Sequence, residues 1–305
     1  MNVDVIIIGA GPSGLNAALN LLRNDRSVLI LEKESLGGQI AKSPRVENLP
    51  SIKEISGMEF IDRLFEQVSD MGANLELEDA LSIDKQGNTF YVHTDCDTHT
   101  AKAVLIANGV SHRKIGVPKE DEYVGHGLSY CATCDGAFYA NEDVIVVGDA
   151  NTALQYANML ANTSKKVYLV ALFDKLFADL SLIKRLNAKT NVEVFYNYCL
   201  KQLKGEPDFE EAIFENTKTH ELKSFKAKGI FIAVGQEPHN DNFKKLIDLD
   251  DKGFLLVDEK MMSKTPGLFA SGDTRQKNVR QVTTAVSDSS IASFYINDYL
   301  DSLES

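Results

Sequence analysis

The sequence predicts an α/β fold that contains an internal duplication. A mostly β-branched apolar run, Val3 to Ile8, ends at Gly9 and leads into a helical segment. The same order of apolar run, glycine turn and helix returns at Asp143 to Gly148. Strands buried on both faces of a parallel sheet have continuous apolar runs of this kind. We therefore expect two βαβ units, one in each half of the chain.

The first copy is expected to provide most of one lobe. Its helix runs from Gly14 to about Arg23, and its second strand, Val28 to Leu31, closes on Glu32. Further elements are predicted before the second copy begins: a helix near 57–71, polar β-like segments near 75–84 and 90–93, and a strand at 103–107 that ends in Asn108-Gly109.

The second copy has the same order of elements. The sequence predicts strands at 143–147, 166–170 and 229–234, with a helix near 152–161 between the first two. A strand at 254–257 and a helix from Ser287 to about Leu300 are expected to complete the first lobe.

Two polar segments with a proline in each, 111–118 and 236–242, are predicted to be the crossings between lobes. Residues 1–112 and 243–305 would then form a discontinuous first domain, and residues 113–242 an inserted second domain. A chain of 305 residues is long enough for two domains of ordinary size.

Composition excludes several classes of protein. With 44% hydrophobic and 25% charged residues, the chain has the composition of a globular domain and not of a disordered one. A net charge of -12 argues against nucleic-acid binding, which needs a basic surface. No segment approaches the roughly 20 apolar residues of a membrane span, and the N-terminus leads directly into a strand. We therefore expect a cytoplasmic protein without a membrane partner.

A glycine-rich turn carries the first functional signal. Gly9-x-Gly11-x-x-Gly14 follows a strand and opens a helix, and Glu32 lies 23 residues after Gly9 at the end of the next strand. The glycines allow a tight turn and close approach to a pyrophosphate, while an acidic residue at the position of Glu32 binds ribose hydroxyls. The sequence therefore predicts two Rossmann-like (three-layer ββα type) nucleotide-binding domains, the second inserted into the first.

A Cys-x-x-Cys-Asp run, Cys131 to Asp135, carries the second signal. Two cysteines one helical turn apart can bring their sulfurs together, and such a pair often has one thiol of lowered pKa. A redox dithiol is predicted, with Asp135 placed to transfer a proton. Half of a zinc site is the alternative, but no second Cys-x-x-Cys or suitably spaced histidine pair supplies the missing ligands. Cys96 and Cys199 stand alone and are interpreted as structural thiols.

Taken together, these segments resemble the bacterial low-molecular-weight thioredoxin reductases, and the resemblance covers essentially the whole chain. It rests on blocks in that family's order and spacing: Gly9-Ala10-Gly11-Pro12-Ser13-Gly14, Glu32-Lys33 with Gly37-Gly38-Gln39, Glu47-Asn48-Leu49-Pro50, Tyr130-Cys131-Ala132-Thr133-Cys134-Asp135-Gly136, Gly272-Asp273 and Arg280-Gln281-Val282-Thr283-Thr284-Ala285.

The resemblance implies FAD in the first domain, thioredoxin or a thioredoxin-like protein as substrate, and a homodimer. It also implies that Cys134 faces the flavin, that Cys131 attacks the partner's disulfide and that Asp135 is the acid/base. The implied cofactor-binding residues are Gly9, Gly11, Pro12, Ser13, Gly14, Glu32, Lys33, Gly38, Gln39, Asn48, Ala107, Gly109, Gly272, Asp273, Arg280, Gln281 and Val282.

The second nucleotide turn departs from the family pattern. The expected Gly-x-Gly-x-x-Ala is Gly148-Asp149-Ala150-Asn151-Thr152-Ala153, which places a Cβ and a carboxylate near the position of a pyrophosphate. The family's His-Arg-Arg-x-x-x-Arg, which grips the 2′-phosphate of NADPH, is replaced by residues 171–177 without an arginine. Charge-assisted contacts to phosphate are worth about 1.5–3 kcal/mol each. The sequence therefore predicts that NADPH is not bound.

In these losses the chain resembles the ferredoxin-dependent flavin thioredoxin reductases, so ferredoxin is the predicted electron donor. A conventional NAD(P)H-dependent reductase with atypical cofactor binding, an FAD-dependent dithiol oxidase and a non-catalytic redox-sensing flavoprotein remain as alternatives. An acidic donor would need a basic patch, and four candidates are available: Arg113-Lys114, Lys165-Lys166, Lys184-Arg185-Lys189 and Arg275-Lys277.

Overall fold

The computed structural model of the protein describes residues 1–43, 46 and 48–304. These residues form two compact units, one of the described residues in 1–111 and 237–304 and one of His112–Gln236. Glu47, which belongs to one block of the family resemblance, lies outside the described residues.

The strands lie in chain order as follows: β1 Asn2–Ile8, β2 Val28–Leu31, β3 Asn74–Glu76, β4 Ala80–Gln86, β5 Thr89–Thr94, β6 Thr98–Ile106, β7 Ser111–His112, β8 Leu128–Ser129, β9 Asp143–Val147, β10 Lys166–Val170, β11 Val192–Phe195, β12 Tyr198–Lys204, β13 Glu211–Asn216, β14 Leu222–Lys226, β15 Gly229–Ile232, β16 Gln236–Glu237 and β17 Leu268–Ala270.

The helices are α1 Pro12–Leu22, α2 Gly57–Ser69, α3 Ala132–Asp135, α4 Asn151–Leu160, α5 Leu180–Asn187 and α6 Val282–Glu304. Short 3₁₀ turns include Gly38–Lys42 and Gly272–Thr274. Within the described part of the chain, the helices lack the combination of length and apolar character that a bilayer-spanning segment requires.

In the first unit, a sheet of order β3-β2-β1-β6-β5-β4 is extended by β17, which pairs with the carboxyl end of β6. The strands β3, β2, β1, β6 and β17 run parallel, whereas β4 and β5 form an antiparallel extension. Leu15, Ile61 and Ile296, from α1, α2 and α6, pack on one face of the sheet. Phe90 and Ile247 pack on the other face. The predicted α/β fold is confirmed.

In the second unit, the parallel sheet has the order β11-β10-β9-β15-β8, and an antiparallel sheet of β12, β13 and β14 accompanies it. Leu154 and Leu186, from α4 and α5, pack on one face of the parallel sheet. Phe209 and Phe214 are fully buried in a second core that includes the antiparallel strands.

The chain passes between the units at residues 111–112 and 236–237, whereas the sequence places these boundaries at 112–113 and 242–243. Residues 237–242 group with the first unit because Asn240 is buried there. Its amide donates to Gly253 O at 3.0 Å, and Thr274 Oγ1 donates to Asn240 Oδ1 at 2.9 Å. These bonds join three loops that are distant in sequence.

Two predicted elements need correction. The expected strand at 254–257 is reduced to isolated bridges from Leu255 to Leu249 and to Arg275, because Leu255 N donates to Thr274 O and Leu256 N to Asp248 O instead of to a neighbouring strand. The last helix begins five residues earlier than predicted, at Val282, where Thr284 Oγ1 accepts from Gln281 N and anchors the entry of the chain.

We predict that Asn240→Ala lowers the free energy of unfolding by about 1–3 kcal/mol, because buried partners such as Thr274 Oγ1 and Gly253 O lose their hydrogen bonds. Denaturant unfolding followed by circular dichroism measures this loss. Asn242→Ala, at an exposed position two residues away, is the matched control and should leave the curve unchanged. Equal curves for the two variants would contradict the anchoring role of Asn240.

Candidate functional site

The Cys-x-x-Cys pair begins the short helix α3 in the second unit. Cys131 and Cys134 form a disulfide with their Cα atoms 5.3 Å apart. Cys131 is also the N-cap of α3, and its Sγ accepts from Cys134 N at 3.2 Å. Both cysteines are half-buried, so the disulfide is accessible. Because this backbone N–H points at Sγ, it would also stabilise a Cys131 thiolate after reduction.

Asp135 lies at the other end of α3 and is linked to Cys131 by Ser129. The Ser129 hydroxyl donates to Asp135 Oδ2 at 2.6 Å and accepts from Cys131 N at 2.9 Å. Asp135 Oδ1 is buried and has no hydrogen-bond partner among the described residues. Burial raises the pKa of Asp135, while the Ser129 hydrogen bond opposes that rise. A carboxyl with a raised pKa and one unsatisfied oxygen beside a disulfide is suited to proton transfer.

The residue before the dithiol is fixed by a buried carboxylate. Tyr130 donates its hydroxyl to Glu120 Oε1 at 2.8 Å, and the same carboxylate accepts from Ile115 N and Gly116 N. Tyr156 donates to Tyr130 O at 3.2 Å. The dithiol therefore starts from a backbone held on both sides by hydrogen bonds.

The first nucleotide turn lies in the other unit, between β1 and α1. Gly9 has a φ of 107°, and a Cβ there would lie 2.5 Å from Ala107 O. A Cβ on Gly14 would lie 1.9 Å from Gly9 O, so this glycine allows helix and strand to pack closely. A Cβ on Gly11, in contrast, would meet only Gly37 O at 4.0 Å. The open space at Gly11 faces the N-terminus of α1, where backbone N–H groups favour an anion.

Glu32 lies beside this turn, as the spacing predicts. Its Oε2 accepts from Ala10 N at 2.8 Å, and its Oε1 accepts from Glu34 N at 3.1 Å. Each carboxylate oxygen keeps a further lone pair for a ribose hydroxyl. Lys33 is exposed and lies 3.7 Å from the Glu34 carboxylate, so it makes no contribution to the turn itself.

Ser271 and Gly272, near the C-terminal end of the chain, contact the first turn of α1. Ser13 Oγ and Ser271 Oγ are 2.8 Å apart, and a Cβ on Gly272 would lie 2.9 Å from Ser13 Cβ. Asp273 Oδ1 is buried, lies 3.7 Å from Lys277 Nζ and makes no hydrogen bond within the described ranges. Burial raises the pKa of Asp273, and nearby Lys277 and Arg280 oppose the rise. A buried carboxylate oxygen without a hydrogen bond, one residue after a glycine that packs on Ser13 of α1, fits a hydroxyl-rich ligand such as the ribityl chain.

The remaining predicted cofactor residues lie in the same unit as this turn. Gln39 donates to Val110 O, and Asn48 donates to Gln281 Oε1 at 3.0 Å. Arg280 donates to Asp273 O at 3.2 Å and lies over the Phe254 ring. Four further positions complete the set: Pro12 begins α1, Gly38 lies next to Gly11, Gly109 has open space at its Cβ position, and Val282 begins α6.

The second nucleotide turn keeps the backbone geometry of the first but not its open end. Gly148 has a φ of 145°, and its Cβ would lie 2.5 Å from Ala233 O, as at Gly9 and Ala107. Ala150 is the N-cap of α4 and has no side chain that could cap the helix. The turn therefore still packs strand against helix.

The chain itself covers the N-terminus of α4. Phe177 N donates to Asp149 O at 2.7 Å, and a β-bridge joins Ala150 to Phe177. The Asn151 amide bonds Asp179 at both ends, accepting from Asp179 N at 2.8 Å and donating to its carboxylate at 3.3 Å. The Asp179 carboxylate is thus held at the first residue of α4, and Asp149 precedes that residue by two positions, so both negative charges disfavour a phosphate near this helix end.

Residues 3–289 match the model of the pyridine nucleotide-disulphide oxidoreductase family. The chain belongs to the low-molecular-weight thioredoxin reductases within that family. It is 35% identical to a thioredoxin reductase of Peptoclostridium acidaminophilum over 98% of this chain and 97% of that one. The crystal structure of a Streptococcus pyogenes thioredoxin reductase is 36% identical, with a TM-score of 0.94 and 99% of both chains covered.

A ferredoxin-flavin thioredoxin reductase of Clostridium acetobutylicum is more distant, at 26% identity and a TM-score of 0.54 with 99% of both chains covered. The family prediction is therefore confirmed, whereas the ferredoxin-dependent branch stays a prediction. Thioredoxin reductases bind FAD, and the open turn at Gly11 together with the unsatisfied Asp273 Oδ1 fits that cofactor.

Sequence reasoning missed three contributors. Ser129 and Glu120 position the dithiol, and the segment 177–179 covers α4. Serines and glutamates are too common for their type alone to reveal a role, and the covering segment makes contacts that only the folded chain reveals. A small signal was present for Ser129, which precedes Cys131 by two residues.

We predict that Gly11→Val folds but loses most of its FAD. The backbone of Gly11 has an ordinary φ of −77°, and its Cβ position is open, so the added methyl groups occupy ligand space and not protein space. The ratio of flavin to protein absorbance after purification with added FAD measures the loss. Gly14→Val is the contrasting variant and should destabilise the fold itself. Full flavin content in Gly11→Val would contradict the assigned site.

We predict that Asp135→Asn is more stable than the parent at neutral pH and much less active. Since burial raises the pKa of Asp135, its stabilising contribution is present below the ordinary pKa and is lost as pH rises through the raised pKa. The stability gain should therefore grow from acidic to neutral pH in denaturant titrations. Loss of the acid should lower disulfide reduction by about a hundredfold or more.

Asp121→Asn, which removes an exposed partner of Lys114, is the control and should change neither stability nor activity measurably. If Asp135→Asn were as active as the parent, the proton-transfer role would be wrong.

Proposed function

We propose that the protein is an FAD-dependent reductase of thioredoxin or a thioredoxin-like protein, acting through Cys131 and Cys134. The observation that carries this proposal is the disulfide at the start of α3 with the buried, partly unsatisfied Asp135 beside it. Bound FAD, once the electron donor has reduced it, would supply the electron pair that reduces this disulfide. The homodimer expected from the resemblance stays a prediction.

In the proposed reaction, the reduced pair attacks the partner's disulfide. The Cys131 thiolate forms a mixed disulfide with one partner sulfur and expels the other as a thiolate, which takes a proton from Asp135. Cys134 then gives its proton to the Asp135 carboxylate and attacks Cys131 Sγ, which restores the intramolecular disulfide and expels the second partner sulfur as a thiolate that takes this proton from Asp135. Two electrons and two protons pass to the partner in each cycle. Ser129 keeps the Asp135 carboxyl oriented toward the pair.

We further propose that the electron donor is not NADPH or NADH. The N-terminus of α4 is covered by residues 177–179 and has Asp149 and Asp179 beside it. A nicotinamide dinucleotide would have to displace a β-bridge and approach two carboxylates without an arginine in residues 171–177. Two single-electron transfers from a reduced ferredoxin would supply the same electron pair.

A conventional NADPH-dependent reductase is the second candidate, and overall similarity to thioredoxin reductases favours it. An FAD-dependent dithiol oxidase and a non-catalytic redox sensor differ from both in their turnover: the oxidase would pass electrons to oxygen, and the sensor would sustain no steady-state disulfide reduction.

The donor is tested by anaerobic mixing of the oxidised holoenzyme with NADPH, NADH or reduced bacterial ferredoxin. We expect rapid bleaching of the yellow flavin absorbance by ferredoxin alone, followed by thioredoxin reduction. Rapid bleaching by micromolar NADPH would overturn the donor proposal and leave the disulfide reductase proposal standing.

Cys131→Ser is the companion variant, because it should keep FAD but fail to reduce thioredoxin. Cys96→Ser, at an exposed position in the other unit, is the control and should retain activity. Thioredoxin reduction by Cys131→Ser would end the dithiol proposal.

A further inference from the structure

An exposed apolar surface lies next to the covered nucleotide turn. We name this surface the apolar platform; it consists of Leu172, Phe173, Phe177 and Leu180. These side chains are 45%, 50%, 51% and 83% exposed. All four lie within nine consecutive residues that follow β10 and lead into α5. Clustered exposed apolar side chains of this size mark interaction surfaces more often than isolated ones do.

The apolar platform is held by the fold. Phe173 and Phe177 pack edge to face with ring centroids 5.3 Å apart. Asn197 N donates to Phe173 O at 3.1 Å, and Phe177 N donates to Asp149 O at 2.7 Å. Because both backbones are fixed, these rings are presented to solvent in a defined arrangement, and little side-chain freedom would be lost on binding.

Basic side chains border the apolar platform. Residues 172–189 carry four basic and two acidic side chains in a protein of net charge -12. Lys175 lies 5.0 Å from the centre of the Phe177 ring. Lys184 and Arg185, in the last turn of α5, are exposed and form no ion pair with any other residue in the described ranges. Their charges are available to a partner.

The other basic candidates are occupied. Arg275 and Lys277 both bind the buried Asp288, at 2.7 and 2.8 Å, so the charges of this candidate pair are already partnered within the protein. Lys114 is bound to Asp121 at 2.8 Å, and Lys166 to Glu193 at 2.8 Å. Lys184 and Arg185 therefore stand out as the basic pair beside an apolar surface.

We infer that the apolar platform with Lys175, Lys184 and Arg185 is the docking surface for a small acidic iron–sulfur protein that donates electrons. The apolar and aromatic side chains fit a protein partner, since the buried centres of protein–protein interfaces are enriched in such side chains. The unpaired cations fit an acidic one, because the remainder of the chain is strongly acidic and repels such a partner elsewhere. This inference rests on the proposed donor.

The test measures steady-state thioredoxin reduction by the holoenzyme with a reduced bacterial [4Fe–4S] ferredoxin. For Lys184→Glu/Arg185→Glu we expect the KM for ferredoxin to rise about tenfold at low salt, with the difference shrinking as salt rises. Phe173→Ser/Leu180→Ser should raise KM by a similar factor that is independent of salt. The maximal rate should change little in either variant.

Matched controls come from the same unit. Lys226→Glu/Lys228→Glu reverses two exposed charges near the amino end of β15, whereas the apolar platform follows the carboxyl end of β10. Leu222→Ser removes an exposed apolar side chain, 66% exposed, from β14. Both controls should keep the parent KM.

Three outcomes would overturn the inference. If ferredoxin reduces the parent but all variants keep its KM, docking occurs elsewhere while the donor proposal stands. If the platform variants lose thioredoxin reduction driven by a chemical reductant such as dithionite, the platform binds thioredoxin. If they change the oligomeric state measured by sedimentation, the platform is an interface between two copies of this chain. Failure of ferredoxin to reduce the parent would instead defeat the donor proposal.

Discussion

The rest of the structure depends on the free backbone N–H groups at a helix N-terminus and on whether a ligand or the chain itself lies against them. A buried strand, a glycine turn and a helix create such an anion-binding end, and the chain makes it twice, at α1 and α4. At α1 the space beside Gly11 is left open and an Asp273 oxygen is left unsatisfied. At α4 the chain's own residues 177–179 lie against this end, since Phe177 N donates to Asp149 O and Asp179 N donates to the Asn151 side chain. The same backbone arrangement thus leaves open space at α1 and is contacted by the chain itself at α4.

Beside the dithiol, the polar group that the fold leaves without a hydrogen bond is a carboxylate oxygen of Asp135. Asp135 has a buried oxygen without a partner in the described chain, which costs folding energy, and only the Ser129 hydroxyl stabilises its charge. A fully satisfied carboxylate would have an ordinary pKa and would hold its proton less readily near neutral pH. The surrounding structure, with Tyr130 bound to the buried Glu120, keeps this arrangement in place. Reactivity here is obtained at the expense of local stability.

Features that depend on short-range sequence patterns were predicted from the sequence, whereas features that depend on tertiary contacts were not. The α/β class, Gly9, Gly148 and the dithiol rest on short-range patterns, and the fold that contains them is as expected. The strand predicted at 254–257 was wrong because burial of Leu255 comes from loop contacts that an apolar run does not distinguish from a sheet. The loss of arginines was visible in the sequence, but the bridge from Ala150 to Phe177 depends on tertiary contacts and could not be derived from it.

The apolar platform adjoins the same segment. Phe177 belongs to the residues that turn back onto α4, and its ring and that of Phe173 remain half exposed. Apolar area in contact with water contributes nothing to folding, whereas each Å² buried by a partner would contribute about 25 cal/mol before the costs of association. Unpaired cations beside it act at longer range and mainly affect the rate of encounter. Salt therefore separates the two contributions, since it weakens the encounter and leaves the apolar contact intact.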